Sequence, residues 1–310
     1  MTDNTLQNKE LSFLAGIFTV CICAFFGANA VAIKISLAGL GVFTTAGLRF
    51  SMASLAIIIW ARITGRSFNI KKGQIQKLLI ISGIFTVQLS LFYLGLSKSN
   101  ASRATLLVNL QPFFTLFLAH YFIPGDQITK RKTLGILMGF TGVALVFLEK
   151  KGVTSDFQIG DLMILVAAFI WACNAVYTKR IISAFKPFHI ALYPMIFSSP
   201  IFFLEGFLWD QSMVAYVDVK VLSALLYQGL VTASFCFVAW VTLLQKYGAV
   251  ALHSFIFIMP ISGVLLGGLI LGEPITAKII IAMLLIVAGI LVIHLKQKIQ
   301  IPLFSLGRNV

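Results

Sequence analysis

Long apolar segments dominate this chain and leave few folds open to it. Of its 310 residues, 59% are hydrophobic and 11% are charged, and the mean hydropathy is +0.98. A membrane-spanning helix needs about 20 apolar residues, whereas membrane strands alternate apolar and polar residues. The apolar segments are 12–33, 41–61, 78–97, 101–122, 134–148, 162–178, 188–208, 221–244, 249–271 and 279–295. They predict an all-α integral membrane protein with about ten transmembrane helices.

The sequence also repeats itself. The tract FGANAVAIK at 26–34 returns as WACNAVYTK at 171–179, and GDQIT at 125–129 returns as GEPIT at 272–276. Each copy would hold five segments, an odd number, so the second copy must enter the membrane from the opposite side. We therefore predict two inverted five-helix repeats, at 11–150 and 157–296, around a central cavity, followed by a cytoplasmic tail at 297–310.

The net charge of +14 is distributed as expected for membrane topology. Basic residues concentrate in alternate connections, above all in 62–77, while the other connections mix basic and acidic residues. Cytoplasmic connections carry the excess of Lys and Arg, so both termini are expected on the cytoplasmic side of the cytoplasmic (inner or plasma) membrane. The basic charge thus indicates the lipid bilayer as a partner and not nucleic acid.

Catalytic chemistry is not indicated. The four cysteines all lie in apolar segments without metal-ligand spacing to histidine. No nucleophile lies beside a base at membrane depth, and no glycine-rich loop could hold a nucleotide phosphate. We expect neither an enzyme nor a cofactor nor a metal site. The lack of Asp or Glu in the middle of any segment also argues against proton-driven cation export.

Asn29 and Asn174 occupy equivalent positions in the two copies. An amide facing lipid would lack hydrogen-bond partners, so both side chains should face the bundle interior. They could hold helices together or contact a substrate, and the sequence leaves both open. The same polar lining would include Asn109, Gln111, Gln88 and Gln228.

Several cations lie in or beside the segments. Arg49 lies well inside the second segment, where a charge costs about 2.5–3.5 kcal/mol on insertion scales. It could contact a substrate carboxylate, form a switchable ion pair, or bond to backbone carbonyls. Lys34, Lys98 and Arg103 would form a charged rim at one face, with Lys179 as the mirror of Lys34 at the other; interfacial anchoring is the alternative.

Prolines and aromatic residues also recur within the segments. Pro112 and Pro260 occupy matching positions in segments four and nine. A proline frees a backbone carbonyl, and its presence in both copies favours a shared hinge or cavity wall over an incidental kink. The aromatic residues expected beside the cavity, where they could stack on a substrate or simply fill the core, are Trp171, Tyr177, Phe235, Trp240 and Phe257.

In order and in duplicate, these motifs resemble an EamA-type transporter of the drug/metabolite transporter superfamily. The resemblance rests on the 26–34 tract, on Leu48-Arg49-Phe50, on Ala101-Ser102-Arg103-Ala104 running to Gln111-Pro112, and on GEPIT at 272–276. It implies ten helices in two inverted repeats, a cavity lined by segments 1, 3, 4, 6, 8 and 9, and export in preference to uptake.

The residues and the resemblance together predict a secondary transporter of small polar metabolites such as amino acids or related carboxylates, and the resemblance favours an exporter. It would work by alternating access, as a monomer or a homodimer. A nucleotide-sugar or sugar-phosphate exchanger and a passive channel or lipid-handling protein stay open as alternatives.

Overall fold

The computed structural model of the chain describes residues 12–123, 128–149, 155–247, 252 and 255–294. The predicted tail at 297–310, the motif residues 125–127 and the predicted start of the ninth segment at 249 lie outside the described residues. So do residues 11, 150, 295 and 296 at the ends of the predicted repeats.

Helices account for nearly all of the described residues. They are α1 (Phe13–Ser36), α2 (Val42–Ile63), α3 (Lys72–Lys98), α4 (Ala101–Val108), α5 (Gln111–Phe122), α6 (Lys130–Phe147), α7 (Ser155–Ile181), α8 (Pro187–Trp209), α9 (Val219–Leu226), α10 (Phe237–Tyr247), α11 (Ile258–Leu271) and α12 (Ala277–His294). A π-helical stretch, Tyr227–Cys236, connects α9 to α10. The one extended pairing among the described residues is a bridge between Leu40 and Val214.

Seven of the described helical segments are long and apolar enough to cross a membrane. Ile258–Leu271 and Ala277–Ile293 are apolar but shorter, and α6 begins with three basic residues in succession. The prediction of an all-helical membrane protein is confirmed for the described residues, whereas the count of ten helices stays a prediction.

Polar cap residues explain several helix starts. Asn100 accepts the N–H of Arg103 at 3.0 Å before α4, and Asp218 accepts the N–H of Val221 at 2.7 Å before α9. A side-chain oxygen there satisfies a donor that the helix itself leaves unbonded. These caps fix where helices α4 and α9 begin.

Helix packing follows a recurring pattern. α2 packs on α8 and α6 packs on α12, each pair joining one half of the chain to the other. α3 packs along α7, as α1 packs along α9 and the π-helical stretch. Most of the large buried side chains belong to one continuous core between these pairs, which includes Phe50, Tyr93, Phe113 and Phe202.

α1 also packs closely on α11, and this contact depends on Gly27 in the repeated tract. A Cβ atom at Gly27 of α1 would lie 1.9 Å from Ser262 Oγ and 2.5 Å from the backbone oxygen of Met259 on α11. Real side chains do not approach so closely, so any larger residue would push α1 and α11 apart.

We predict that Gly27→Ala lowers the free energy of unfolding by about 1–3 kcal/mol, the usual cost of overpacking. Gly83→Ala is the matched control, because a Cβ there meets nothing within 4 Å. Thermal unfolding of the purified protein in detergent measures both. Equal melting temperatures for the two variants would contradict the close contact.

Candidate functional site

The two repeated asparagines each bond to the opposite half of the chain. Thr232 Oγ1 in the π-helical stretch donates to Asn29 Oδ1 on α1 at 3.0 Å. Asn174 Nδ2 on α7 donates to Gln88 Oε1 on α3 at 3.2 Å. We call these two pairs the asparagine layer. Both pairs keep polar groups satisfied between apolar helices.

Gln228 extends the asparagine layer across the bundle. Its fully buried side chain donates from Nε2 to Ser36 Oγ at 2.7 Å and to the backbone oxygen of Ala32 at 3.2 Å. Its Oε1 accepts from the Tyr93 hydroxyl at 3.3 Å. Gln228 therefore connects the π-helical stretch to both α1 and α3, one turn before Thr232 in the same stretch.

Arg49 joins this network from α2. Its Nη1 donates to the Tyr93 hydroxyl at 3.1 Å, and its guanidinium carbon lies 4.9 Å from the ring centroid of Phe50. Its Nε is buried without a hydrogen-bond partner. Among the described residues, no carboxylate lies at ion-pairing distance from it. Arg49 thus contacts the Tyr93 hydroxyl and the Phe50 ring, and the described part of the chain supplies no counter-charge to it.

Arg103 is placed very differently. The sequence analysis put it in a charged rim, but its side chain is only 3% exposed and ion-paired with Asp161 of α7, which is 0% exposed. Arg103 Nε donates to Asp161 Oδ2 at 2.8 Å, and Ser99 Oγ donates to Oδ1 at 2.6 Å. Lys98 packs beside Gly160 of the same helix. Arg103 thus forms a buried contact between α4 and α7, whereas Lys98 at the end of α3 is half-buried.

Glu273, from the repeated GEPIT motif, clasps the start of α4. Its Oε1 accepts the N–H of Ala101 at 2.6 Å, and its Oε2 accepts the N–H of Ser102 at 2.8 Å and the hydroxyl at 2.5 Å. Gly272 turns the chain with φ of 66°, a left-handed conformation that favours glycine. Gly267 leaves room, because a Cβ there would lie 2.4 Å from Ser102 Oγ. A carboxylate is stabilised at a helix N-terminus.

Lys34 makes a second contact at the same end of the bundle. Its Nζ donates to the backbone oxygens of Leu96 and Ser97, at 2.9 and 3.1 Å. We call this the Glu273 end; the last residues of α1, α3, α8 and α11 and the first residues of α2, α4, α7 and α9 lie there. α1 and α3 are thereby joined where both helices end.

Lys179 and Arg180 lie at the opposite end of α7, which we call the Arg180 end. Both side chains are exposed. Arg180 donates to the backbone oxygen of Phe122, the last residue of α5, and its guanidinium carbon lies 5.6 Å from the centroid of that ring. The contact attaches α5 to α7 at this end.

The two predicted hinge prolines both lie in the first turn of a helix. α4 ends at Val108 and α5 begins at Gln111, so Pro112 lies in the first turn of α5. Pro260 likewise lies in the first turn of α11. The N–H groups of a helix's first turn have no partner within the helix, so the missing N–H of proline costs no hydrogen bond there. At the break between α4 and α5, Asn109 Nδ2 donates to the backbone oxygen of Thr105 at 2.7 Å. Gln111 Nε2 donates to Thr115 Oγ1 at 2.9 Å.

The aromatic candidates do not form one cluster. Trp171 is 40% and Phe235 53% exposed on the protein surface, and Phe235 packs edge-on against Phe18. Tyr177 is half-buried. Trp240 packs edge-on against Phe26 at 6.3 Å, and Phe257 packs against the main core.

Sequence reasoning missed several partners in these networks. Thr232, Tyr93 and Ser36 carry the bonds to Asn29, Arg49 and Gln228, yet threonine, tyrosine and serine are common in membrane helices and carry no signal of their own. Glu273 could have been found, because it is the acidic residue of a duplicated motif.

Apolar helices that bury asparagine, glutamine and arginine between two matched halves define a polytopic membrane protein of the transporter class. A model of the EamA-like transporter family matches residues 14–148 and 158–295. The chain therefore belongs to the EamA-like transporter family, which confirms the resemblance seen in the sequence.

Relatives of similar length are also transporters. YoaV, an uncharacterized transporter of Bacillus subtilis (strain 168), is 23% identical over 279 residues, 89% of this chain and 94% of that protein. The probable amino-acid metabolite efflux pump of Escherichia coli (strain K12) is 24% identical over 287 residues, 89% of this chain and 93% of that protein. The protein so named in Salmonella typhimurium (strain LT2) is 25% identical over 284 residues, again 89% and 93%.

A known crystal structure shares the fold. It superposes with a TM-score of 0.68 at 18% sequence identity, covering 91% of this chain and 97% of that chain. Together with the seven long apolar helices, the family identifies the chain as an integral membrane transporter.

The buried ion pair makes a sharp prediction about stability. Asp161→Asn leaves the Arg103 charge buried without a counter-charge, and we expect it to cost about 3–5 kcal/mol. The double variant Arg103→Met with Asp161→Leu removes both charges and should recover most of that loss. Thermal unfolding and the yield of folded protein measure the difference. A double variant as unstable as Asp161→Asn would show that the ion pair is itself strongly stabilising.

Proposed function

We propose that this protein is a secondary transporter that exports amino acids or related carboxylates by alternating access. Ten membrane segments, arranged as two inverted five-helix repeats, would rock against each other around a central path. The proposal gives the chain no catalytic step, no cofactor and no nucleic-acid partner, and it leaves a monomer and a homodimer open.

The observation that carries this proposal is the asparagine layer. Asn29 and Asn174 are equivalent in the repeat, and each bonds to a helix of the opposite half. α1 runs toward the Glu273 end and α7 runs away from it, so the two equivalent helices are antiparallel. Matched polar groups on antiparallel helices support an inverted repeat with a shared polar path between its halves.

The charge distribution supports an orientation. The Arg180 end holds the basic connection 62–71, as well as Lys130, Arg131 and Lys132. By the positive-inside rule this end would face the cytoplasm, with both termini, and the membrane would be the cytoplasmic membrane. The Glu273 end would then face outward.

Packing supports an outward-closed arrangement. α4 packs on α1, α7 and α11, whereas α5, the continuation of α4 toward the Arg180 end, packs on α6 and α7. The clasp of Glu273 on the start of α4 and the contact of Lys34 with the end of α3 close the Glu273 end. Export would then need these two contacts to break.

The names of the relatives support the substrate class. Proteins of Escherichia coli and Salmonella typhimurium, at 24% and 25% identity, are named probable amino-acid metabolite efflux pumps. The polar groups of the asparagine layer suit the hydrogen-bonding groups of such metabolites better than they suit an apolar cargo.

We predict that the double variant Asn29→Leu with Asn174→Leu loses at least about tenfold of amino-acid counterflow in liposomes, because two hydrogen-bonding groups are removed from the path. Asn69→Leu, in the exposed connection after α2, is the matched control and should transport normally. Unchanged counterflow in the double variant would remove the asparagine layer from the transport path.

The same liposomes separate the other functions. A carrier saturates and shows trans-stimulation, whereas a passive channel does neither. Competition by sugar phosphates or nucleotide sugars, without competition by amino acids, would replace the proposed substrate class.

We predict that Glu273→Gln shifts the protein toward an outward-open state, because a neutral amide oxygen accepts hydrogen bonds more weakly than a carboxylate. The reporter is Thr105→Cys, a buried position beside Gly263, in a variant whose four native cysteines are replaced by alanine. Labelling from outside by a membrane-impermeant maleimide should rise several-fold.

Asp218→Asn is the matched control for that experiment. Asp218 is also a capping carboxylate at the Glu273 end, but within the described residues its side chain accepts a bond only from its own helix, α9. Faster labelling in both variants, or in neither, would argue against Glu273 as the contact that closes this end.

A further inference from the structure

Arg49 is a cation for which the described structure supplies no anion. It lies about 10 Å along α2 from its first residue, Val42, and so within the hydrocarbon. A charge at this depth is costly unless it is paired or lines a polar path. The buried charge of Arg103, by contrast, is neutralised by an ion pair with Asp161.

The surroundings of Arg49 orient it toward the interior of the bundle. Its Nη1 donates to Tyr93 on α3, and the Tyr93 hydroxyl in turn donates to Gln228. The π-helical stretch comes close on the other side, since a Cβ at Gly229 would lie 3.3 Å from the backbone oxygen of Arg49. The guanidinium is therefore linked to Gln228 of the π-helical stretch through the Tyr93 hydroxyl.

The guanidinium also has unused donors. Only Nη1 makes a hydrogen bond to the described residues, and Nε has none although it is buried. The Nε–Nη2 edge of arginine is a planar fork whose two N–H groups match the two oxygens of a carboxylate. Lysine, a single point charge, could not present that fork.

We propose that Arg49 binds the carboxylate of the transported substrate through this free edge, while Tyr93 and Phe50 hold the guanidinium in place. The ligand is then a monocarboxylate, because one guanidinium neutralises one such charge. This inference rests on the proposed function and deepens it: the carboxylate, and not only the polar groups of the cargo, would select the substrate. Gln228 would follow as a neutral contact on the path toward Asn29.

The test compares amino acids with their own carboxamides. L-Leucine, L-phenylalanine and L-threonine, and the three corresponding amides, are titrated against the purified protein, and the rise in melting temperature gives the affinities. We expect the acids to bind the unaltered protein about 10- to 100-fold more tightly than the amides. Arg49→Gln should remove that preference, and in counterflow it should raise KM for the acids.

Two variants separate binding from a structural role. Tyr93→Phe removes the hydrogen bond that positions Arg49 but keeps the charge, so the preference for acids should weaken less than in Arg49→Gln. Arg49→Lys should keep part of the preference for acids. If Arg49→Gln does not fold, this partial loss in Arg49→Lys tests the role of the guanidinium in its place. Arg180→Gln, which removes a guanidinium at the Arg180 end, is the matched control and should bind like the unaltered protein.

The remaining outcomes distinguish a wrong assignment of Arg49 from a wrong proposed function. Equal affinity of the unaltered protein for acids and amides, or a preference for acids that survives Arg49→Gln, would overturn the role of Arg49 while amino-acid transport stands. A preference lost equally in Tyr93→Phe and Arg49→Gln would make Arg49 a structural contact. If neither acids nor amides shift the melting temperature, the proposed function fails together with this inference.

Discussion

Within hydrocarbon every polar group must find its partner inside the protein, and this requirement shapes the rest of the structure. Asn29, Asn174 and Gln228 each meet it by bonding to another helix, and the bonds of Asn29 and Asn174 both cross between the halves of the chain. Apolar packing alone cannot choose a partner among helices that are apolar on all sides, since lipid competes equally well. The buried amides therefore specify which helices meet, while close contacts such as that at Gly27 set how near they come.

Among the described residues, carboxylates meet the same requirement at helix starts of the Glu273 end. Asp210 accepts both N–H groups at the start of α2, from Phe43 at 3.2 Å and Thr44 at 2.9 Å, just as Glu273 accepts those at the start of α4. A helix start carries partial positive charge, so an acidic residue from another segment stabilises it. At the Arg180 end, cross-contacts instead run from donors such as Arg180 to backbone oxygens. Carboxylate acceptors at helix starts thus distinguish the Glu273 end, whereas donors to backbone oxygens, such as Lys34 and Arg180, occur at both ends.

Composition and repetition were enough to predict the helical membrane fold and the equivalence of Asn29 and Asn174, because apolar length and duplicated motifs are visible in one chain. They did not predict the partners. The bonds of Asn29 to Thr232 and of Arg49 to Tyr93 depend on which helix faces which, a property of three-dimensional packing that no local pattern encodes. Arg103 illustrates the same point: its position near a helix end predicted a place in a charged rim, and only the packing of α7 brings Asp161 beside it.

Departures from regular α-helix coincide with these polar contacts. The π-helical stretch begins at Tyr227, directly before Gln228, and contains Thr232, while α4 breaks at Asn109, directly before the first turn of α5 that holds Pro112. Irregular backbone at membrane depth persists only where protein or a polar cavity satisfies the freed groups. Here Thr232 Oγ1 lies 2.8 Å from the oxygen of Gln228, so its single proton is shared between that oxygen and Asn29 Oδ1, and Asn109 Nδ2 donates to the oxygen of Thr105. A side chain that stabilises an irregular backbone segment can also exchange its hydrogen bond when the segment moves. Thr232 and Asn109 could therefore both line the proposed transport path and allow the helices around it to move.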